Sequence, residues 1–171
     1  KGVIIAQTVD EAMTAIDMAM EQKLFGDSGS EIVIEEFLVG EEVSFFALSD
    51  GKNAVAFGSA QDHNAAYDGD KGPNTGGRGA YSPSALVTPA MTDRIMKQII
   101  LPVVDGMAAA GRPFSGVLFA GLMMTETGPV VIEFNARFGD PETQVIFARL
   151  KTDALEVLLA TAEGKLNKLN L

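Results

Sequence analysis

The stretch VSFFALSDGKNAVAFG, from Val43 to Gly58, decides the fold. Two apolar runs, Val43–Leu48 and Ala54–Gly58, flank the dipeptide Asp50-Gly51. That pair is a strong hairpin signal, because both residues tolerate the positive φ that a tight β-turn requires. An antiparallel pair is therefore expected here. Working outward, Ile32–Leu38 reads as a strand before the hairpin. Val117–Met124 and Val130–Phe134 read as two more, joined by a Thr127-Gly128-Pro129 turn. Val3–Ala6 reads as a short buried strand at the N-terminus.

Helices fill the gaps. Thr8-Val9-Asp10-Glu11 has the form of a capping box, and Met13, Ile16, Met20 and Leu24 follow at helical spacing. Thr88-Pro89 opens a second helix, with Met91, Ile95, Ile99 and Val103 on one face and an expected kink or interruption at Pro102. Asp140-Pro141 is read as the cap of a helix running to about Leu150. Asp153 with Glu156 caps a last helix that ends near Gly164. No repeat or linker divides the chain. The reading is one α+β domain over residues 1–171, with antiparallel sheets and packed helices.

Composition bounds the function. Of 171 residues, 47% are apolar, which suits a packed core rather than a disordered chain. The formal charge of −10 argues against duplex nucleic acid or an anionic membrane as partner. With no cysteine, disulfides, thiolate metal sites and cysteine nucleophiles are excluded, and a cytoplasmic location fits. The eight methionines fall mostly at helical spacing, as core filler. The chain lacks an initiator Met and starts in a strand-like run, so it is expected to be a piece of a longer protein.

Three stretches could carry chemistry. In VIEFNARFGDPET, Val131 to Thr143, alternation puts Glu133 and Asn135 on one strand face, with Arg137 close behind. A carboxylate and an amide oxygen at that spacing suit Mg²⁺, and an Arg beside them suits an anionic oxygen. The competing reading is a polar strand end, with Asp140 a plain helix cap. In IEEFLVGEE, Ile34 to Glu42, backbone groups near Phe37 and Leu38 could read an adenine edge while one Glu of the second pair takes ribose hydroxyls. The alternative is a solvated edge strand.

The third stretch, QDHNAAYDGDKGPNTGGRGAYSP, Gln61 to Pro83, reads as one long polar loop without regular structure. Loops of that length inside compact domains are uncommon unless functional. Its glycines let successive backbone N–H groups face one anion, with Asn74 and Thr75 adding donors. It does not match the GxxxxGK[ST] phosphate loop, nor the strand-to-helix setting of a dinucleotide fingerprint. His63, the only histidine, stands either as a substrate contact or as a structural residue. A zinc site around it would need several carboxylates, and no serine sits in a nucleophile elbow.

Taken in order, KGVIIA, IVIEEFLVGEEVSFFALSDG, SAQDH, DGDKGPNTGGRGAYSP, GVLFAGLMMT and VIEFNARFGDPETQ resemble the ATP-grasp portion of the glycinamide ribonucleotide synthetases, the phosphoribosylamine–glycine ligases of purine biosynthesis. The resemblance covers nearly the whole chain. It implies an ATP-grasp fold, ATP and Mg²⁺ (or Mn²⁺) as cofactors, and glycine and 5-phosphoribosylamine as substrates. Glycine's carboxylate would take the γ-phosphate of ATP to give glycyl phosphate, which the sugar amine then attacks.

In family terms Glu133 and Asn135 resemble the metal ligands, and Glu36, Phe37 and Leu38 the adenine hinge. Glu42 resembles the ribose contact, and Lys1 the lysine of the phosphate loop. Arg137 is the implied catalytic contact. Asp62, His63, Asn74, Thr75, Gly76, Gly77 and Asp140 are the implied substrate contacts. The chain departs from the family pattern at Asn64-Ala65, where the family carries Lys-Arg, and at Arg78, where it carries Met. In family terms it is also expected to begin inside the phosphate loop, as a piece without the N- and C-terminal domains. Alone it is expected to be at best a weak nucleotide binder. Two other readings compete: an ATP-grasp ligase with another amine acceptor, and a non-catalytic nucleotide-binding module.

Overall fold

A computed structural model describes residues 2–62, 65–67, 71–74 and 79–169, without the side chains of 65–67 and 71–74. The chain divides into two compact units, Lys1–Leu38 and Val39–Leu171.

In the first unit, helix α1 spans Val9–Ile16 and continues as a π-helical turn over Asp17–Glu21. Thr8 caps it, its Oγ1 accepting the Glu11 N–H at 3.2 Å. The return bond of the expected capping box lands one residue early: Glu11 Oε2 accepts from the Gln7 N–H at 2.7 Å, not from Thr8. A 3₁₀ turn follows over Gly26–Ser30.

Two expected strands are not found. Val3–Ala6 and Ile32–Leu38 have no ladder partner among the described residues of this unit, and Val33 is 85% exposed. Apolar, β-branched composition makes a segment fit to be a strand. Only pairing of its N–H and C=O groups makes it one.

The second unit is built on the hairpin. Strand β1, Glu41–Asp50, turns at Asp50–Asn53 into β2, Ala54–Asp62. The turn is fixed by Asp50 Oδ1, which accepts the backbone N–H groups of Asn53 (2.7 Å) and Lys52 (3.1 Å). The long polar segment after β2 is not wholly irregular. It contains a short antiparallel pair, β3 (Ala65–Tyr67) with β4 (Lys71–Asn74), and its end returns as β5, Ala80–Tyr81. Beyond helix α2 (Pro89–Ile95) and α3 (Leu101–Ala109) come β6, Ser115–Thr125, and β7, Gly128–Asn135. The main sheet is five-stranded and antiparallel throughout, in the order β5-β2-β1-β6-β7.

One sheet face packs on the α2–α3 layer. Phe45, Ala47, Leu118, Ala120 and Leu122 meet Ile95, Ile99, Ile100 and Val104 there, with Met91, Met96 and Met124 filling the edges. The interruption expected at Pro102 takes the form of a π-helical turn over Met96–Ile100, which joins α2 to α3 just ahead of the residue that has no N–H to give to the preceding turn.

The opposite face carries Phe46, Leu48, Ala60 and Phe119. They pack against Ile146 of helix α4, Glu142–Phe147, Val157 of α5, Ala154–Ala162, and Leu166. Asp153 caps α5 as expected. Asp140 does not cap α4: its Oδ1 accepts from the Gln144 side chain at 2.8 Å, and Pro141 occupies the cap position without a side-chain bond. No helix among the described residues is long and apolar enough to cross a membrane.

Candidate active site

Strand registers bring the polar residues together. Ser44 on β1 pairs with Gly121 on β6, which pairs with Glu133 on β7, and Ala60 on β2 pairs with Ser44 from the other side. Directly paired residues share a face, and so do residues two apart along a strand. Glu42, Ser44, Asp62, Gly121, Glu133 and Asn135 therefore all point to the face opposite the α2–α3 layer. Glycine at 121 matters here, since a Cβ would lie 3.3 Å from Glu133 Cγ.

Glu133 is exposed and Asn135 half-buried. Asn135 Nδ2 donates to Glu133 Oε1 at 2.9 Å, which holds the two groups side by side. One carboxylate oxygen of Glu133 and the amide oxygen of Asn135 remain as acceptors. Among the described residues no group of three or more His, Asp or Glu side chains could hold a metal. A pair of oxygen donors fits Mg²⁺ nonetheless, because Mg²⁺ keeps waters and phosphate oxygens in most of its shell. Such a site would hold a metal–nucleotide complex better than a bare ion.

Arg137 is exposed, and its guanidinium donates to the Phe138 carbonyl oxygen at 2.9 Å. The one ion pair among the described residues, Lys165 with Glu163, is elsewhere. Arg137 thus presents N–H donors that no described carboxylate neutralises. Asp140 follows on the same turn. On β2, Asp62 Oδ1 is buried and has no hydrogen-bond partner among the described residues. Such an acceptor calls for a donor that the described residues do not supply.

The base of the polar segment is clamped. Gln61 pairs with Tyr81 and Asp62 with Ala80. Gln61 Oε1 accepts from the Tyr81 and Ser84 hydroxyls, while its Nε2 donates to Glu41 Oε2 at 3.3 Å. Both stems of the segment are thus tied together at Gln61, which is itself tied to β1.

Of the remaining sequence-derived residues, Glu36, Phe37 and Leu38 lie in the first unit outside any helix or strand, with Phe37 53% exposed. The backbone of Asn74 ends β4. Lys1, His63, Thr75, Gly76 and Gly77 lie outside the described residues, as do Asn64 and Arg78. One residue of this face escaped the sequence reading. Glu142 is only 6% exposed and accepts from the Ser44 hydroxyl at 2.9 Å. In GDPET it passes for a polar helix start, and only burial distinguishes it.

Residues 1–143 match the model of the phosphoribosylglycinamide synthetase ATP-grasp (A) domain. The chain belongs to this family. Among the relatives of this family member, the phosphoribosylamine–glycine ligase of Agrobacterium fabrum is 59% identical over 98% of the chain. That of Vigna unguiculata is 51% identical over the whole chain. The chain spans 40% of the first protein and 56% of the second. The crystal structure of phosphoribosylamine–glycine ligase from Thermotoga maritima superposes with a TM-score of 0.80 at 31% identity, over 96% of this chain and 41% of that one. A biotin carboxylase domain from Hydrogenobacter thermophilus, solved with MgADP and bicarbonate, shares the fold at a TM-score of 0.67 and 18% identity. The fold is therefore ATP-grasp, in an antiparallel version with packed helices.

Proposed function

We propose that the protein carrying this chain is an ATP-dependent ligase that joins glycine to 5-phosphoribosylamine, giving glycinamide ribonucleotide in purine biosynthesis. The observation that carries this reading is the Glu133–Asn135 pair, fixed side by side by its own hydrogen bond on a chain that matches this ligase domain over residues 1–143.

In this reading the glycine carboxylate attacks the γ-phosphorus of ATP, ADP leaves, and glycyl phosphate forms. The amine of phosphoribosylamine then attacks the glycyl carbonyl, phosphate leaves, and the amine loses a proton. No side-chain nucleophile is needed, so the protein contributes positioning and charge neutralisation. Glu133 and Asn135 would hold Mg²⁺, or Mn²⁺ in its place, which supplies charge neutralisation at the phosphates. Arg137 offers its donors to the transferring phosphoryl group. Glu42 takes the ribose hydroxyls, Glu36 to Leu38 the adenine edge, and Lys1 a phosphate. Asp62, His63, Asn74 to Gly77 and Asp140 hold the glycine and sugar phosphate. The relatives' named reaction is one of small-molecule metabolism, and the cytoplasm is the proposed compartment.

The test is ADP release by the product of the complete gene, supplied with ATP, Mg²⁺, glycine and phosphoribosylamine. Release that requires both acceptor and glycine supports the reading. Release only with another amine would replace the acceptor. Nucleotide binding without any turnover would make the chain a binding module, a result that the Asn64-Ala65 departure would then explain.

A further inference from the structure

Glu142 is the only buried charged side chain among the described residues. Its carboxyl receives the Ser44 hydroxyl at 2.9 Å, and no cation pairs with it among the described residues. A buried carboxyl served so sparingly is costly, and an apolar side chain of equal size would pack at least as well. Stability alone does not account for it.

Its surroundings supply a reason. Ser44 stands in the same cross-strand row as Gly121 and Glu133. The turn leading to α4 runs tightly over Glu142: a Cβ on Gly139 would fall 2.3 Å from Glu142 Oε2 and 3.2 Å from Phe46 Cζ. Thr143 Oγ1 also donates to the Gly139 carbonyl. Glu142 thus touches the Phe138–Pro141 turn on one side and the floor of the site on the other. Arg137 immediately precedes that turn, and Asp140 lies within it.

The geometry points to Glu142 as a positioning residue. By accepting from Ser44 it pins the turn to β1 and so sets where Arg137 and Asp140 stand relative to Glu133 and Asn135. The inference rests on the ligase reading for its kinetic consequence, but not for its structural one. What matters in it is an acceptor oxygen of the right reach, not the carboxyl's charge.

Three variants of the complete gene product test this. Glu142→Met keeps the volume and removes the acceptor. It is expected to lower kcat by about 10- to 100-fold while the KM for ATP moves less than about threefold, the mark of misplaced reacting groups rather than lost binding. Its Tm should equal or exceed that of the unaltered protein. Glu142→Gln, whose amide oxygen still accepts from Ser44, should recover kcat to within about threefold. Ser44→Ala should lower kcat in the same direction as Glu142→Met. It keeps the proposal testable if Glu142→Met does not fold.

Amide hydrogen exchange over residues 137–143 is measured alongside. It should quicken in Glu142→Met and Ser44→Ala but not in Glu142→Gln. Unchanged kcat in Glu142→Met, or Glu142→Gln as impaired as Glu142→Met, overturns the proposal. If the unaltered protein releases no ADP with glycine and phosphoribosylamine, it is the ligase reading that has failed. Exchange over 137–143 then decides the role of Glu142 by itself, and unchanged exchange in Glu142→Met and Ser44→Ala refutes it.

Discussion

The two faces of the sheet in the second unit are made from the same strands and differ in nearly every property. On one, Phe45, Ala47, Leu118, Ala120 and Leu122 disappear under the α2–α3 layer. On the other, the residues between them begin as core, with Phe46 and Phe119 ring centroids 4.4 Å apart. They then give way to Ser44, Glu133 and Asn135. Period-two alternation lets one strand serve a dry layer and a wet site at once. The consequence is that stability and chemistry can be damaged separately, by substitutions one residue apart.

The largest effect should come from the wet face. Glu133→Ala in the complete gene product is expected to cost about 1000-fold in ADP release, since under the proposed assignment it would remove one of two protein oxygens that hold the metal. Because Glu133 is exposed, Tm should stay within about a degree or two. Loss of fold instead would erase the distinction between the faces.

Next comes the dry face. Ile100→Ala, at a fully buried position under the sheet, should destabilise by about 2–5 kcal/mol in denaturant titrations. Turnover per folded molecule should stay near that of the unaltered protein. A smaller effect is expected for Arg137→Lys. It keeps the charge but loses the planar fork, and should lower kcat by about 30-fold with unchanged thermal stability.

The smallest effect lies at the far end of the sheet, away from both. Burial raises the Asp50 carboxyl's pKa, but hydrogen bonds from Asn53, Lys52 and Leu166 outweigh this and leave it below the usual 3.8. A group whose folded pKa is depressed contributes stability that is fully present above the unfolded value. That stability is lost as pH falls through the folded one. The Asp50→Asn variant should therefore lower Tm by a few degrees at neutral pH, and the difference from the unaltered protein should shrink below about pH 4.

Much of this was readable in the residues, and the failures have a common cause. The Val43–Gly58 hairpin, the β6–β7 pair and the Thr8, Thr88 and Asp153 caps follow from short-range rules, and the structure has them. Glu133 and Asn135 share a face because strand alternation is local too. What failed depends on distant partners. Val3–Ala6 and Ile32–Leu38 have strand composition but no described neighbour to pair with. Asp140 has the residue type of a helix cap, yet Gln144 takes its side chain. Glu142 was not singled out, because its burial depends on Ser44 and Gly139, which no local pattern links to it.

The central claim is that Glu133 and Asn135 together hold a metal–nucleotide complex on the wet face. Electron paramagnetic resonance of Mn²⁺ measures this without turnover, by titrating Mn²⁺–ATP into the complete gene product and its variants. The account predicts saturable binding in the unaltered protein. It also predicts binding weakened by about 10-fold or more in both Glu133→Ala and Asn135→Ala, and left unchanged in Lys165→Ala, far from the site. Equal Mn²⁺–ATP affinity in the unaltered protein and in both site variants would contradict it.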